Sequence, residues 1–529
     1  VTNVVSNAAG GTTLTAANTT DINATENALT AGNGNVTING GKNVTVSATG
    51  TTDDDDTDAE IVVGGTTAPT GTVNVTNKFA GADTNDQGDV AVTGGTTVAV
   101  TESLTNAVNT TNTHGNVSVT GGAATTAVTV NQDKAATASA TVAGKVNGTV
   151  TINDVNAAST TAAGTIASVT LNSFGASSIN SSALTTVNLS GTGTSLNIGR
   201  GDLSATPTAN TLALNVSGLT TTGAITDAEA TGDDGFQTLN IASTGTASTV
   251  ASLAADDTKA INVSGDAKLT VSANTLLALE SVTVTNTGGF ALNGSAINAG
   301  AIFTGGAGAD AVSLSNGFTK AITMGAGDDT VTYGGAAGTG GSVAAGDGVD
   351  TIVMTSALAA AADDNATFNN KFTGFEVLRL SNELGATTDI NVAGLNGVSK
   401  VILADGGASA TTSQISGLAS GSTVEVLASG SAGFVANVNN APFNANDVLN
   451  LVLDNSTAAT DNFNSITTPG VETVNIALRD SGTAANTAAT VDNVTLVATS
   501  ATTVSVSGNN GLIITNTGNT AITKFDASG

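Results

Sequence analysis

Gly34-Asn-Val-Thr-Ile-Asn-Gly-Gly41, Gly88-Asp-Val-Ala-Val-Thr-Gly-Gly95 and Gly115-Asn-Val-Ser-Val-Thr-Gly-Gly122 are copies of one short unit. Each is an alternating segment closed by a glycine pair, and each is followed by a second segment: Val44-Thr-Val46, Val98-Ala-Val100 and Val128-Thr-Val130. A weaker copy runs Ile61-Val-Val63, Gly64-Gly65, then Val73-Asn-Val75. The pairs begin at 40, 64, 94 and 121, so the spacings are 24, 30 and 27 residues. Period-2 alternation turns Val and Ile to one face of a strand and Thr, Ser or Asn to the other. Glycine makes the sharp corner between strands. A repeat of about 27 residues predicts stacked coils, each completing its neighbour's apolar core.

From about residue 160 the period loosens while the strand type persists. Leu184-Thr-Thr-Val-Asn-Leu189, Phe236-Gln-Thr-Leu-Asn-Ile241, Leu279-Glu-Ser-Val-Thr-Val284, Phe375-Glu-Val-Leu-Arg-Leu380 and Val471-Glu-Thr-Val-Asn-Ile476 share a pattern of apolar, polar, any, apolar, any, apolar. Helical periodicity is weak, with short stretches near Thr275–Leu279 and Ser356–Ala362. The predicted class is therefore all-β: a parallel β-solenoid (β-helix or β-roll) with stacked Gly/Asp turns, irregular loops and little helix. It divides into regular coils over 1–160, a looser continuation over 161–300, a distinct roll over 301–355 and a second arm over 356–529.

Composition agrees with a thin core. Aromatic residues are 3% and charged residues 10% of the 529 residues, and there is no Trp; small β-branched side chains suit a pleated surface. Thirteen Lys and Arg against 42 Asp and Glu give a formal charge of −29. That balance argues against nucleic-acid binding, which needs basic patches. The chain would repel itself unless neutralised, and about 14 divalent ions would suffice if each cancelled two charges. The absence of Cys excludes disulfides and Cys-based zinc sites. The single His114, beside Gly115, reads as an exposed loop residue. No apolar run is long enough to span a membrane as a helix. The opening at Val1, without Met or a signal peptide, points to processing or to a portion of a longer chain.

Residues 305–352 carry specific chemistry. Gly305-Gly-Ala-Gly-Ala-Asp310-Ala-Val312-Ser matches the nonapeptide G-G-x-G-x-D-x-U-x at every defined position. Gly325-Ala-Gly-Asp-Asp329-Thr-Val331 and Gly346-Asp-Gly-Val-Asp350-Thr-Ile352 repeat it, with Met324 and Ala345 in first place. Calcium takes six or more oxygen ligands. Glycines let backbone carbonyls join the Asp carboxylates, so the candidate ligands are Gly306, Gly308, Asp310, Gly325, Gly327, Asp328, Asp329, Gly346, Asp347, Gly348 and Asp350. Asp310 to Asp329 is 19 residues and Asp329 to Asp350 is 21, each near the 18 of two nonapeptides. The three turns should stack on one edge and hold two ions, with Ser315-Asn-Gly-Phe318 and Gly334-Gly335 opposite.

Further acidic sets are weaker candidates for calcium against a solvated loop. They are Asp53, Asp54, Asp55, Asp56 and Asp58 with Asp83, Asp86 and Asp89, and separately Asp227, Asp233 and Asp234. The string Asp83-Thr-Asn-Asp-Gln-Gly88 begins like an EF-hand loop, but its twelfth position is Gly94 rather than Glu, so that motif fails.

The nonapeptides resemble those of the RTX (repeat-in-toxin) group of secreted bacterial proteins. The wider chain is similar to RTX-type surface-layer (S-layer) proteins of caulobacters. That likeness rests on Leu184-Thr-Thr-Val-Asn-Leu-Ser-Gly-Thr-Gly-Thr-Ser195, Ile198-Gly-Arg-Gly201, Lys320-Ala-Ile-Thr-Met-Gly-Ala-Gly-Asp-Asp-Thr-Val331, Phe375-Glu376, Asn516-Thr-Gly-Asn-Thr-Ala-Ile522 and Phe525-Asp-Ala-Ser528. The resemblance implies a secreted, extracellular lattice of identical copies at a Gram-negative cell surface, assembled with several calcium ions. Such proteins also carry a lipopolysaccharide-docking region and an RTX-rich secretion segment. Neither is legible here, so anchoring and export are expected of residues outside this sequence. No catalysis is expected, because clustered carboxylates with Arg or Lys and aromatic sugar platforms are missing. The rival readings are an RTX adhesin, a surface filament or sheath subunit and, less favoured, an ice-binding solenoid. The matched strands Thr-Ile, Ala-Val and Ser-Val spoil a uniform Thr array for the last.

Overall fold

In the computed structural model, Val44-Thr-Val46 and its counterparts stand side by side in one parallel ladder. The structure describes residues 2–6, 11–29, 35–50, 59–80, 87–105, 111–139, 144–200, 210–227, 235–455, 461–481 and 491–529. Their regular secondary structure is almost entirely β, and the ladders between their strands are parallel. The chain divides into two compact units, Val1–Asn298 and Ala299–Gly529.

In the first unit one apolar column runs Ile22, Val44, Val73, Val98, Val128, Val169, Val187, Leu214, Ile241, Val263 and Val284, each paired with the next. All are buried. A second column follows the glycine-closed segments: Ile38, Val63, Val92, Val119, Ile152, Ile179 and Ile198. The alternation seen in sequence thus selects both the strand and its inward face. A one-residue slip in any rung would turn its whole apolar set to solvent. Gly40 shows why the corner is glycine: φ is +74°, and a Cβ there would lie 2.1 Å from the Ala16 carbonyl oxygen.

The inside is not wholly apolar. Glu102, Asn77 and Gln132 are buried on adjacent rungs. Gln132 Nε2 donates to Glu102 Oε2 at 2.8 Å, and Asn77 Nδ2 donates to the Gly88 carbonyl at 2.8 Å. His114 belongs to this network, which corrects the expectation of an exposed loop histidine. It is 2% exposed, with Nδ1 2.9 Å from Gln87 Oε1. The reason is the close stacking of Gly88 and Gly115, where a Cβ on Gly115 would fall 2.2 Å from the Gly88 carbonyl oxygen. That approach draws each preceding side chain inward. Burial lowers the His114 pKa to about 4 and raises that of Glu102 to about 8.

The second unit repeats the principle with larger side chains. Val312, Val331, Ile352, Leu378, Val401, Val424, Leu451 and Ile476 form one buried column. A separate ladder joins Asp389–Asn391, Gln414–Leu418, Phe434–Val438, Asn462–Thr467, Val491–Val497 and Gly511–Asn516. Helix α1, Ser356–Ala362, forms where the sequence shows Ala-rich periodicity, and Thr355 caps it by accepting from the Leu358 N–H. A second helix, α2, Ala366–Lys371, is capped by Asn365. Near Thr275–Leu279 there is no helix: Asn274–Thr275 is a strand followed by a turn. Phe368 stacks on Phe372 at 4.4 Å, and Tyr333 meets both rings edge-on.

Candidate metal centre

Each glycine-rich turn ends in an Asp that immediately precedes a strand: Ala311–Leu314, Thr330–Thr332 and Thr351–Met354. Those strands pair in register, Ala311 with Thr330 and Thr330 with Thr351. The pairing stacks Asp310, Asp329 and Asp350 one rung apart. At the other end of the strands, Gly317 donates its N–H to the Ala336 carbonyl at 2.8 Å, so the turns at Ser315–Phe318 and Gly334–Gly335 stack there.

The Asp side chains form a continuous ladder. Asp310 Oδ2 accepts from the Gly306 N–H at 2.8 Å, within its own turn. The Asp310 N–H donates to Asp329 Oδ1 at 2.7 Å, and the Asp329 N–H donates to Asp350 Oδ1 at 2.8 Å. Glu376 continues the file, accepting from the Asp350 N–H through Oε2 at 2.9 Å. All three Asp are at most 1% exposed. Asp329 Oδ2 and Asp350 Oδ2 are buried with no hydrogen-bond partner. An unpaired buried carboxylate oxygen is costly and is relieved by a proton or a cation. Burial accordingly pushes the Asp329 carboxyl up to about 7. The Asp310 N–H pulls the other way, and the charges of Asp310, Asp350 and Asp328 add to the push. Asp350 is raised too, by burial first and then by Glu376, Asp328 and Asp347.

The glycines let successive turns approach. Gly346 has φ +111°, and a Cβ there would lie 1.8 Å from the Gly325 carbonyl oxygen. Gly325, Gly327 and Gly348 are left-handed as well, while Gly306 and Gly308 present carbonyls against which later glycines pack. Asp328 and Asp347 are exposed at the rim. Asp328 Oδ1 accepts from the Val349 N–H at 2.9 Å, and the Asp347 N–H donates to the Gly325 carbonyl at 3.0 Å. Among the described residues, no three His, Cys, Asp or Glu side chains gather into a cage. A cation in this file would have to combine the two orphaned carboxylate oxygens with backbone carbonyls. The all-oxygen donor set fits a hard divalent ion such as calcium.

Asp53, Asp54, Asp55, Asp56, Asp58, Asp83, Asp86, Asp233 and Asp234 lie outside the described residues. Asp89 is used structurally: its Oδ1 accepts from the Asn116 N–H at 2.6 Å. Asp227 pairs with Ile198, in line with the second apolar column, and its Oδ2 accepts from the Phe236 N–H at 2.6 Å. Its Oδ1 is buried without a partner. Burial raises its pKa to about 6 against the Phe236 N–H and the Arg200 charge.

Glu376 is the residue that motif reading missed. It has only Gly374 (φ +81°) in place of the nonapeptide glycines, yet Phe375-Glu376-Val377 puts an acid immediately before a strand, as the nonapeptides do. Compared with known proteins, the chain matches no family model and no curated protein sequence.

Proposed function

We propose that this chain is a calcium-stabilised parallel β-solenoid and a non-enzymatic structural component of a bacterial cell surface. It assembles outside the cell with identical copies into a two-dimensional lattice. The observation that carries the reading is the Asp310–Asp329–Asp350–Glu376 ladder with its orphaned, buried oxygens. Asp310, Asp329 and Asp350 would hold the ions with carbonyls of Gly306, Gly308, Gly325, Gly327, Gly346 and Gly348, and Asp328 and Asp347 would contribute from the rim. The ions neutralise charge between rungs and tie together turns that the sequence separates by 19 and 21 residues.

Self-assembly is supported by the outward faces. One polar file runs without a charged residue from Thr25 through Thr101 and Asn172 to Ser217. Asn215 Nδ2 donates to Asn188 Oδ1 at 2.8 Å across rungs, which stiffens the neighbouring file. A rigid, uncharged surface of this kind suits close packing of copies. Among the described residues no helix is long and apolar enough to cross a membrane.

The test is chelation watched by electron microscopy and circular dichroism. Calcium removal should dissolve ordered arrays, and millimolar calcium should restore them, in the affinity range of extracellular calcium modules. Arrays that survive complete chelation unchanged would sink the calcium lattice. Monomers that bind calcium and never order would favour the adhesin.

A further inference from the structure

We propose a second cation site at Asp447 and Glu472, in a part of the unit Ala299–Gly529 that has no glycine-rich nonapeptide. The proposal rests on reading the Asp350–Glu376 step as a calcium step, because the same step recurs there. The Asp350 N–H donates to Glu376 Oε2 at 2.9 Å, while the Asp350 carbonyl accepts from the Val377 N–H at 2.9 Å. At the second place the Asp447 N–H donates to Glu472 Oε2 at 2.9 Å, and the Asp447 carbonyl accepts from the Thr473 N–H at 3.0 Å. Each Asp immediately precedes a strand, Thr351–Met354 or Val448–Asn455, and each Glu precedes its partner strand, Val377–Leu380 or Thr473–Asp480.

The likeness extends to what is left unsatisfied. Asp447 is 6% exposed, and its Oδ2 is buried with no hydrogen-bond partner, as in Asp350. Asn446 supplies the left-handed turn before Asp447, with φ +79°; Asn tolerates that region where most residues do not. Two carboxylates, with no His or Cys beside them, form a hard-oxygen donor set. Calcium tolerates such an irregular shell better than magnesium does. A divalent ion neutralises Asp447 and Glu472 together, whereas one proton would neutralise only one of them.

The experiment is equilibrium dialysis of the full chain against calcium, comparing wild type with Asp447→Asn, Glu472→Gln and Asp329→Asn, each checked by circular dichroism. Asp447→Asn and Glu472→Gln should each bind one ion fewer per chain. Asp329→Asn should lose ions from the nonapeptide turns and retain this one. Glu472→Gln keeps a side-chain acceptor for the Asp447 N–H and serves if Asp447→Asn misfolds. Wild-type ion counts in both Asp447→Asn and Glu472→Gln would overturn this site while leaving the nonapeptide reading intact. A wild-type chain that binds no calcium would overturn both.

Discussion

The backbone N–H of Asp329 donates to Oδ1 of Asp350 at 2.8 Å, although 21 residues separate them. The bond uses one carboxylate oxygen as a rung connector and leaves the other, Oδ2, buried and unpaired. The same atom pattern between Asp310 and Asp329 makes Asp329 both giver and receiver in the file.

Asp329 should therefore separate structural from ionic roles. Asp329→Ala strands the Asp310 N–H and should cost about 1–3 kcal/mol even in chelator. Asp329→Asn retains the acceptor oxygen, so it should be nearly neutral in chelator yet lose most of the stabilisation that calcium brings. Thermal melts with and without calcium read both effects. Equal losses for Asp310→Asn, Asp329→Asn and Asp350→Asn would count against a shared middle turn.

The turn glycines differ in what surrounds them. Gly346→Ala places a Cβ 1.8 Å from the Gly325 carbonyl oxygen at φ +111°, and should destabilise the second unit by on the order of 3 kcal/mol. Gly317 also has positive φ, +77°, but nothing lies within 4 Å of its added Cβ. Gly317→Ala should cost only about 1 kcal/mol, the backbone term alone. Denaturant titration of the two variants decides whether stacking or φ is the main constraint.

Glu102 gives the first unit a pH dependence of known sign. Its folded pKa, about 8, stands above the ordinary 4.5, chiefly through burial. Its favourable contribution is complete below 4.5 and is lost as pH rises through about 8. The Gln132 and Asn77 amides favour the charged form, and the Asp89 charge opposes it. Glu102→Gln should raise the melting temperature at pH 8 and flatten the decline between pH 5 and 8. A variant that melts below wild type at pH 8 would show that the ionised form is held more favourably than its burial suggests.

Phe372 joins the stacked ring of Phe368 to the edges of Tyr333 and Phe318. Phe372→Ala should cost about 3–5 kcal/mol through the cavity left behind. Phe372→Leu should recover more than half of that. Chemical denaturation measures both, and a Leu variant as weak as the Ala variant would mean that ring geometry matters more than volume.

Much of the strand content was legible because alternation is a local property. Val44-Thr-Val46 and Val98-Ala-Val100 need no distant information to declare an apolar face, and both lie in the ladder where the pattern placed them. The Asp turns were legible through spacing: 19 and 21 residues bring equivalent positions of successive rungs together. His114 was misread because its burial comes from Gly88 packing against Gly115, residues 27 apart. The repeat aligns those two glycines, but it does not show that the side chain before each turns inward. Thr275–Leu279 was misread because its apolar spacing suits a short helix and a strand followed by a turn equally well.

By itself the sequence determined which Val, Ile and Leu face inward, where chain corners fall, and that an acidic, oxygen-rich motif repeats along the chain. Those properties follow from side-chain alternation, glycine's missing Cβ and carboxylate chemistry, all written within a few residues. Only the tertiary structure decided the atomic pairing across rungs, which carboxylate oxygen meets which N–H. It extended the file from Asp350 to Glu376, buried Glu102 beside Gln132, and left Asp329 Oδ2, Asp350 Oδ2 and Asp447 Oδ2 unpartnered. A buried charge's partner is a neighbour in space, and in parallel ladders that neighbour comes from another rung.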